Sequence, residues 1–231
     1  FSMDEYQKLL KVSRSRIKKG RGTRIKFDRE RLHHFCIFMV GTGLRVDEAL
    51  KLEWEDIRCI DRERVVNRQA TETIVSAYGK DFLSQLERYY LQINVGISKS
   101  RPHTAYGTGS AYFAYQNLIK LYTSNPQFNC KVGEGTIFKL HSFREGLNSL
   151  LDEADLKFEK LGDSRVKRDS KSFRHTFIQF MLNKGMSSTA IAKMCGTSTE
   201  MIDKYYTSNM ALDTMMDTFN KVKGGHLKIV S

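Results

Sequence analysis

The sequence predicts an α+β domain that is mainly helical, with a small antiparallel β-sheet or hairpin at one edge. Three observations predict it. Only 2 of the 231 residues are proline, and long stretches carry helix formers, which disfavours a many-turned β-sandwich. Apolar residues recur at helical spacing through most of the chain. One run, Tyr89 to Val95, instead has β-rich composition with partial alternation, and Gly96 ends it.

The elements follow in order. Ser2 to Glu5 has the form of a capping box, with Tyr6, Leu9, Leu10 and Ser13 behind it at helical spacing. Ser13 to Lys26 is basic, contains glycine and is poor in apolar residues, so an exposed loop is expected. A second helix is expected from Asp28 through Arg31, Leu32, Phe35, Cys36, Phe38, Met39 and Val40, broken by Gly41-Thr42-Gly43. Arg45 to Leu52 reads as a short helix that the chain leaves through Trp54 to Ile57. Arg58 to Arg88 has mixed polarity and one short apolar run at Thr73-Ile74-Val75; it reads as an insertion. Tyr89–Val95, the turn Lys99-Ser100-Arg101-Pro102 and a returning strand from His103 to Tyr106 form a hairpin with a basic tip. Helices are expected over Ser110–Tyr122, with an aromatic face, and over Phe138–Glu153, followed by a charged loop to Ser170. Ser172–Lys184 is amphipathic, and Gly185 stands where a C-cap belongs. Ser188–Cys195, closed by Gly196, and Ser198–Tyr206 follow as short helices. Met210–Val222 carries Leu212, Met215, Met216, Phe219 and Val222 on one apolar face, ahead of a Gly224-Gly225 tail.

Composition narrows the function. Hydrophobic residues make up 40% of the chain, enough for a packed core. No run approaches the roughly 18 apolar residues of a membrane span, and the first thirty residues are too polar for a signal peptide. Cys36, Cys59, Cys130 and Cys195 are widely spaced without a CxxC pair, which points away from a zinc site or disulfide framework and towards a reducing cytoplasm. The net charge is +12. Between Phe1 and Arg31 eleven Lys/Arg stand against four Asp/Glu, a local excess of +7, so a polyanion such as nucleic acid is the expected partner. The chain opens on Phe1 rather than Met, so it is expected to be a fragment of a longer protein.

Four places carry chemistry-bearing residues: Gly41-Thr42-Gly43-Leu44-Arg45-Val46-Asp47-Glu48-Ala49-Leu50, then Lys99 at the hairpin tip, then Ser172-Phe173-Arg174-His175-Thr176-Phe177, and finally Cys195-Gly196-Thr197-Ser198 with Tyr205-Tyr206 downstream. In order and spacing they resemble the catalytic domain of the tyrosine recombinase (phage integrase) family, over Ser2 to about Lys223. The resemblance implies that residues 1–209 form the catalytic domain, that 58–88 is an insertion, and that 210–231 is a docking helix and tail. It also implies that the family's N-terminal core-binding domain is missing from this chain.

The implied activity is site-specific recombination, in which DNA is cut and rejoined through a 3′-phosphotyrosyl intermediate without metal, ATP or other cofactor. Arg45 and Arg174 would clamp the phosphate, because guanidinium is always charged, planar and bidentate towards phosphate oxygens. Tyr206 would be the nucleophile, since it lies nine residues past Thr197, the family's usual histidine position. Lys99 would protonate the leaving 5′-oxygen. Lys171 stands where the family usually has histidine, three residues before Arg174, and Thr197 replaces a second histidine. Arg24, Lys26, Arg101 and His175 are expected to contact DNA. The literal His-x-x-Arg at His141–Arg144 lies too far from Tyr206 and is read as outside the site. The implied partners are double-stranded DNA at an attachment or recombination site, three further copies of the chain on that DNA, and accessory DNA-bending proteins; the fragment alone is expected to be monomeric in solution. A bacterial-type cytoplasm, at the nucleoid, is the implied setting, with a phage, an integrative element or a chromosome as source. A type IB topoisomerase, a telomere resolvase and a DNA-binding relative that has lost catalysis are the alternatives.

Overall fold

The computed structural model describes residues 1–61, 89–96, 102–140, 142–161 and 164–206. Lys99, Arg101, His141, the 62–88 stretch and the expected helix at 210–222 lie outside them.

Helix α1 (Met3–Lys18) starts on the predicted capping box: Ser2 Oγ accepts the Glu5 amide at 3.2 Å, and Glu5 Oε2 accepts the Ser2 amide at 2.8 Å. The expected loop over Ser13–Lys26 is corrected. Helix α1 runs on to Lys18 and α2 (Thr23–Thr42) begins early, leaving only four residues between them. Lys and Arg are good helix formers, and their charged heads stay in water while Leu9 and Ser13 face the interior.

Helix α2 is the central beam, packed against α1, α4 (Gly109–Thr123) and α6 (Lys171–Asn183). Its second half is buried almost all round. Phe35 and Phe38 meet Phe138 at ring distances of 5.1 and 5.3 Å, and Phe35 stacks on Phe143 at 4.3 Å. Arg31, 2% exposed, is tolerated here because Asp28 Oδ1 accepts from it at 2.7 Å and its guanidinium lies 5.3 Å over the Phe27 ring.

His33 is also buried. Its Nδ1 lies 3.1 Å from Ser13 Oγ and its ring 5.4 Å from that of His34. Burial first, then the neighbouring His34 and Arg14, push its pKa down to about 4. In the unfolded chain this imidazole titrates near 6.5, so between 6.5 and 4 the unfolded state binds a proton that the folded state refuses. Stability is therefore full above pH 6.5 and is lost as pH falls, by about 2–3 kcal/mol at pH 4.5. Urea unfolding at pH 7 and 4.5 should show that loss, and His33→Gln should reduce it; an equal loss in both proteins would exclude His33 as its source.

After α3 (Val46–Lys51) and a single 3₁₀ turn (Trp54–Asp56), the chain enters a three-stranded antiparallel sheet in the order β1 (Ile57–Asp61), β2 (Tyr89–Val95), β3 (His103–Gly107). The register pairs Ile57 with Ile93, Cys59 with Leu91, and Ile93 with Ala105. The expected hairpin thus supplies two strands of a three-stranded sheet, and Arg58–Asp61 lie in the third, β1. The short strand has little alternation of its own; pairing with β2 defines it.

Two further expectations are corrected. The helix expected from Phe138 begins only at Arg144, as α5 (Arg144–Glu153). Before it, Lys139 has φ of 52°, Tyr122 Oη donates to the Ile137 carbonyl at 2.9 Å, and Phe138 is pinned in the aromatic cluster. The charged loop before Ser170 contains a hairpin, β4 (Phe158–Leu161) and β5 (Ser164–Lys167). Arg168, just beyond it, is buried and donates to both oxygens of Glu5 at 2.9 Å, so α1 fixes where α6 begins. The last described elements are α7 (Ser188–Cys195) and α8 (Thr199–Tyr206). With α6, Tyr90 and Tyr106 they form a second, smaller core against which Tyr206 packs.

Candidate active site

The site forms where two helices end. Helix α2 stops at Gly43 and α7 at Gly196, both left-handed, with φ of 65° and 59°. A helix C-terminus leaves carbonyls without helical partners and carries partial negative charge. Both ends are turned on the two predicted arginines. Arg174 Nη1 donates to the Gly43 carbonyl at 3.0 Å, and Nη2 to the Cys195 carbonyl at 2.7 Å. Arg45 Nη2 donates to the Gly196 carbonyl at 3.0 Å.

Glu48 joins them. Its side chain is 0% exposed. One carboxylate oxygen accepts from Arg45 Nη1 at 2.8 Å; the other accepts the Arg45 amide at 2.8 Å and lies 4.0 Å from Arg174 Nη1. A single buried carboxylate therefore serves both guanidiniums. The sequence marks Glu48 as an ion-pair partner of Arg45; it does not reveal that Arg174 shares it.

Tyr206, on α8, is partly buried, and its Oη hydrogen-bonds to His175 Nδ1. Burial pushes the phenol pKa up to about 12, against the opposing pull of Arg174. Tyr205 lines the same cavity as Tyr206 and is 53% exposed, with Lys204 Nζ 5.4 Å from its ring. The Cys195 thiol is buried and its pKa raised to about 11, so it stays protonated; what it contributes here is its backbone carbonyl.

The structure brings Arg45, Lys171, Arg174, His175, Thr197 and Tyr206 together around one cavity of about 640 Å³. Lys171 is exposed at the first turn of α6, and Thr197 follows the glycine that ends α7. His175, expected to contact DNA, also pairs with Tyr206. Arg24 and Lys26 lie elsewhere, exposed on the first turn of α2. Arg24 bonds Asp28 at 3.0 Å and lies 5.1 Å over the Phe128 ring. With Arg16, Arg29, Arg31 and Arg144 it lines a separate groove of about 770 Å³. Arg144 of the decoy motif is thus outside the cavity holding Tyr206.

A mainly helical domain with a small edge sheet, in which two arginines and a tyrosine meet at one cavity, has the form of a tyrosine recombinase catalytic domain. The chain belongs to the phage integrase family, whose model matches residues 1–211. No curated protein matches it significantly. Among solved structures it resembles XerH site-specific recombinase bound to palindromic difH substrate in a post-cleavage complex, at 16% identity and a TM-score of 0.60, covering 96% of this chain and 53% of that one. XerA recombinase is similar at 15% identity and a TM-score of 0.57, with 96% and 63% covered. Tn1549 transposon integrase in complex with circular intermediate DNA follows at 16% and 0.54, with 96% and 66% covered. The chain therefore spans between about half and two thirds of the length of these relatives. Among the described residues, no helix is long and apolar enough to cross a membrane.

Proposed function

We propose that this domain cuts and rejoins double-stranded DNA at a specific site, with Tyr206 as nucleophile and a covalent 3′-phosphotyrosyl intermediate. The observation that carries the reading is the guanidinium pair of Arg45 and Arg174, held on Glu48 at the cavity that Tyr206 enters. Phosphoryl transfer spreads negative charge over the non-bridging oxygens, and donors already in place stabilise it without reorganisation. The ester to Tyr206 keeps the energy of the broken phosphodiester, so rejoining needs no ATP. The arginines supply the positive charge that a metal supplies elsewhere. Lys99 is the donor to the leaving 5′-oxygen, a role that rests on the family resemblance.

A basic furrow supports DNA as the partner. The cavity shares Val46 and Ser170 with an adjoining hollow that holds Lys167 and Arg144. That hollow shares Ser142, Phe143 and Arg144 with the groove lined by Arg16, Arg24 and Arg29. A phosphate backbone laid along it would meet cationic side chains from the cleavage point outwards. The XerH and Tn1549 integrase structures are themselves complexes with DNA. A tetramer on DNA, and accessory bending proteins, complete the proposal by family analogy. A second reading, a binding module without catalysis, draws on Lys171 and Thr197 at the two usual histidine positions.

The test is covalent trapping. The protein is incubated with nicked suicide duplexes carrying its presumed attachment site, and with a pool of random nicked duplexes, then run on a denaturing gel. A protein–DNA adduct is expected from the wild type and from Tyr205→Phe, and none from Tyr206→Phe. An adduct that persists in Tyr206→Phe would assign the nucleophile elsewhere. Binding without any adduct would favour the second reading.

A further inference from the structure

We infer that His175 is a catalytic residue of this site, the base that takes the Tyr206 proton at the moment of attack and returns it on rejoining. The inference rests on the function proposed above and adds a group that the arginine–tyrosine constellation does not contain.

A phenol must lose its proton as it attacks phosphorus. The two positions where histidine usually stands are poor candidates for receiving it. Lysine, at Lys171, is a side chain of donors without an acceptor; Thr197 offers a hydroxyl, which is a very weak base. His175 is in place. Its Nδ1 is the hydrogen-bond partner of Tyr206 Oη, and the two rings lie 5.5 Å apart with planes tilted by 32°. Helix α6 carries Arg174 and His175 in succession, so one turn delivers both a phosphate donor and a proton acceptor to the same cavity. For Nδ1 to accept, the imidazole must be neutral with its proton on Nε2. Burial and then Arg174 hold its pKa below the usual 6.5, with Asp169 and Glu159 acting against them. The neutral form is thus the major one at pH 7.

The Tyr206 O–H proton moves to Nδ1, giving imidazolium, while the phenolic oxygen bonds to phosphorus. The P–O5′ bond breaks, and the 5′-oxygen takes a proton from an ammonium donor, the role assigned above to Lys99. On rejoining the 5′-hydroxyl gives its proton back to that amine as it attacks phosphorus, the bond from phosphorus to the Tyr206 oxygen breaks, and the imidazolium returns its proton to the departing phenolate.

Single-turnover cleavage of the nicked duplex from pH 5.5 to 9.5 tests this with His175→Ala and His175→Asn. Asparagine places a carbonyl oxygen near the position of Nδ1, so it keeps an acceptor but lacks a base. Both variants should cleave about 10²-fold more slowly at pH 7. Their rates should climb about tenfold per pH unit towards the wild type, and added imidazole should restore part of the Ala variant's rate. DNA affinity, read by anisotropy on intact duplex, should change less than about twofold. Full activity in His175→Asn would reduce His175 to a positioning residue, and a wild-type rate in His175→Ala would remove it altogether; either overturns the inference. If the wild type makes no adduct, the recombinase reading has failed, and the His175–Tyr206 contact is then decided by ¹⁵N NMR. Loss of the Tyr206 donor should raise the His175 pKa by about half a unit in Tyr206→Phe, because the bond favours neutral imidazole; an unchanged titration would overturn the inference independently of activity.

Discussion

Glu48→Gln should slow single-turnover cleavage by about 10²–10³-fold and lower the unfolding free energy by about 2–3 kcal/mol. The amide is nearly isosteric with the carboxylate, so packing is kept and the charge alone is lost. That charge sits fully buried against Arg45 and 4.0 Å from Arg174. Without it, two guanidiniums that share one partner repel each other. A buried charge pair broken on one side costs several kcal/mol, and the partial exposure of Arg45, at 32%, reduces the figure here. The arginines would then move off the geometry that the Gly43, Cys195 and Gly196 carbonyls define, and small misplacements of such donors cost orders of magnitude in rate. Urea unfolding and adduct formation measure the two effects. Cleavage at the wild-type rate in a folded Glu48→Gln would show that the arginines do not depend on their common carboxylate.

Gly43→Ala should be destabilising by about 3–5 kcal/mol. At φ of 65° any side chain is strained, and the new Cβ would lie 2.2 Å from Phe177 Cδ1. Phe177 is itself fully buried, so the clash must move backbone or core. Because the Gly43 carbonyl holds Arg174, the site should suffer with the fold. Gly185→Ala is the control. It has φ of 84° with nothing within 4 Å of the new Cβ, so only the backbone strain of about 1–2 kcal/mol should appear. Equal losses in the two variants would show that the Phe177 contact adds nothing.

These two residues mark the boundary of what the sequence tells. The motif around Arg45, the Arg174-His175-Thr176 stretch and the spacing to Tyr206 were legible because each is local. A helix stop at Gly43 or Gly196, a capping box at Ser2 and an amphipathic face at Ser172–Lys184 are written in a handful of adjacent residues. The family and the mainly helical fold follow from them.

Other elements were not legible because their causes are distant in the chain. Phe138 stands in a bend rather than a helix, with its ring packed on Phe35 and Phe38. Strand β1 exists because β2 pairs with it, and α1 runs past Ser13 because that face meets His33 on α2.

The sequence by itself determined which side chains are the candidates for the chemistry, the local turns that present them and the surplus of positive charge that asks for a polyanion. Only the tertiary structure decided how they are held: two helix ends far apart in the chain converge, Glu48 lies under both arginines, and His175 meets Tyr206. The physical reason is the same in each case. A residue type and its neighbours fix charge, shape and backbone preference, whereas a buried carboxylate or a hydrogen-bonded imidazole gets its partner from packing between segments that no local pattern relates.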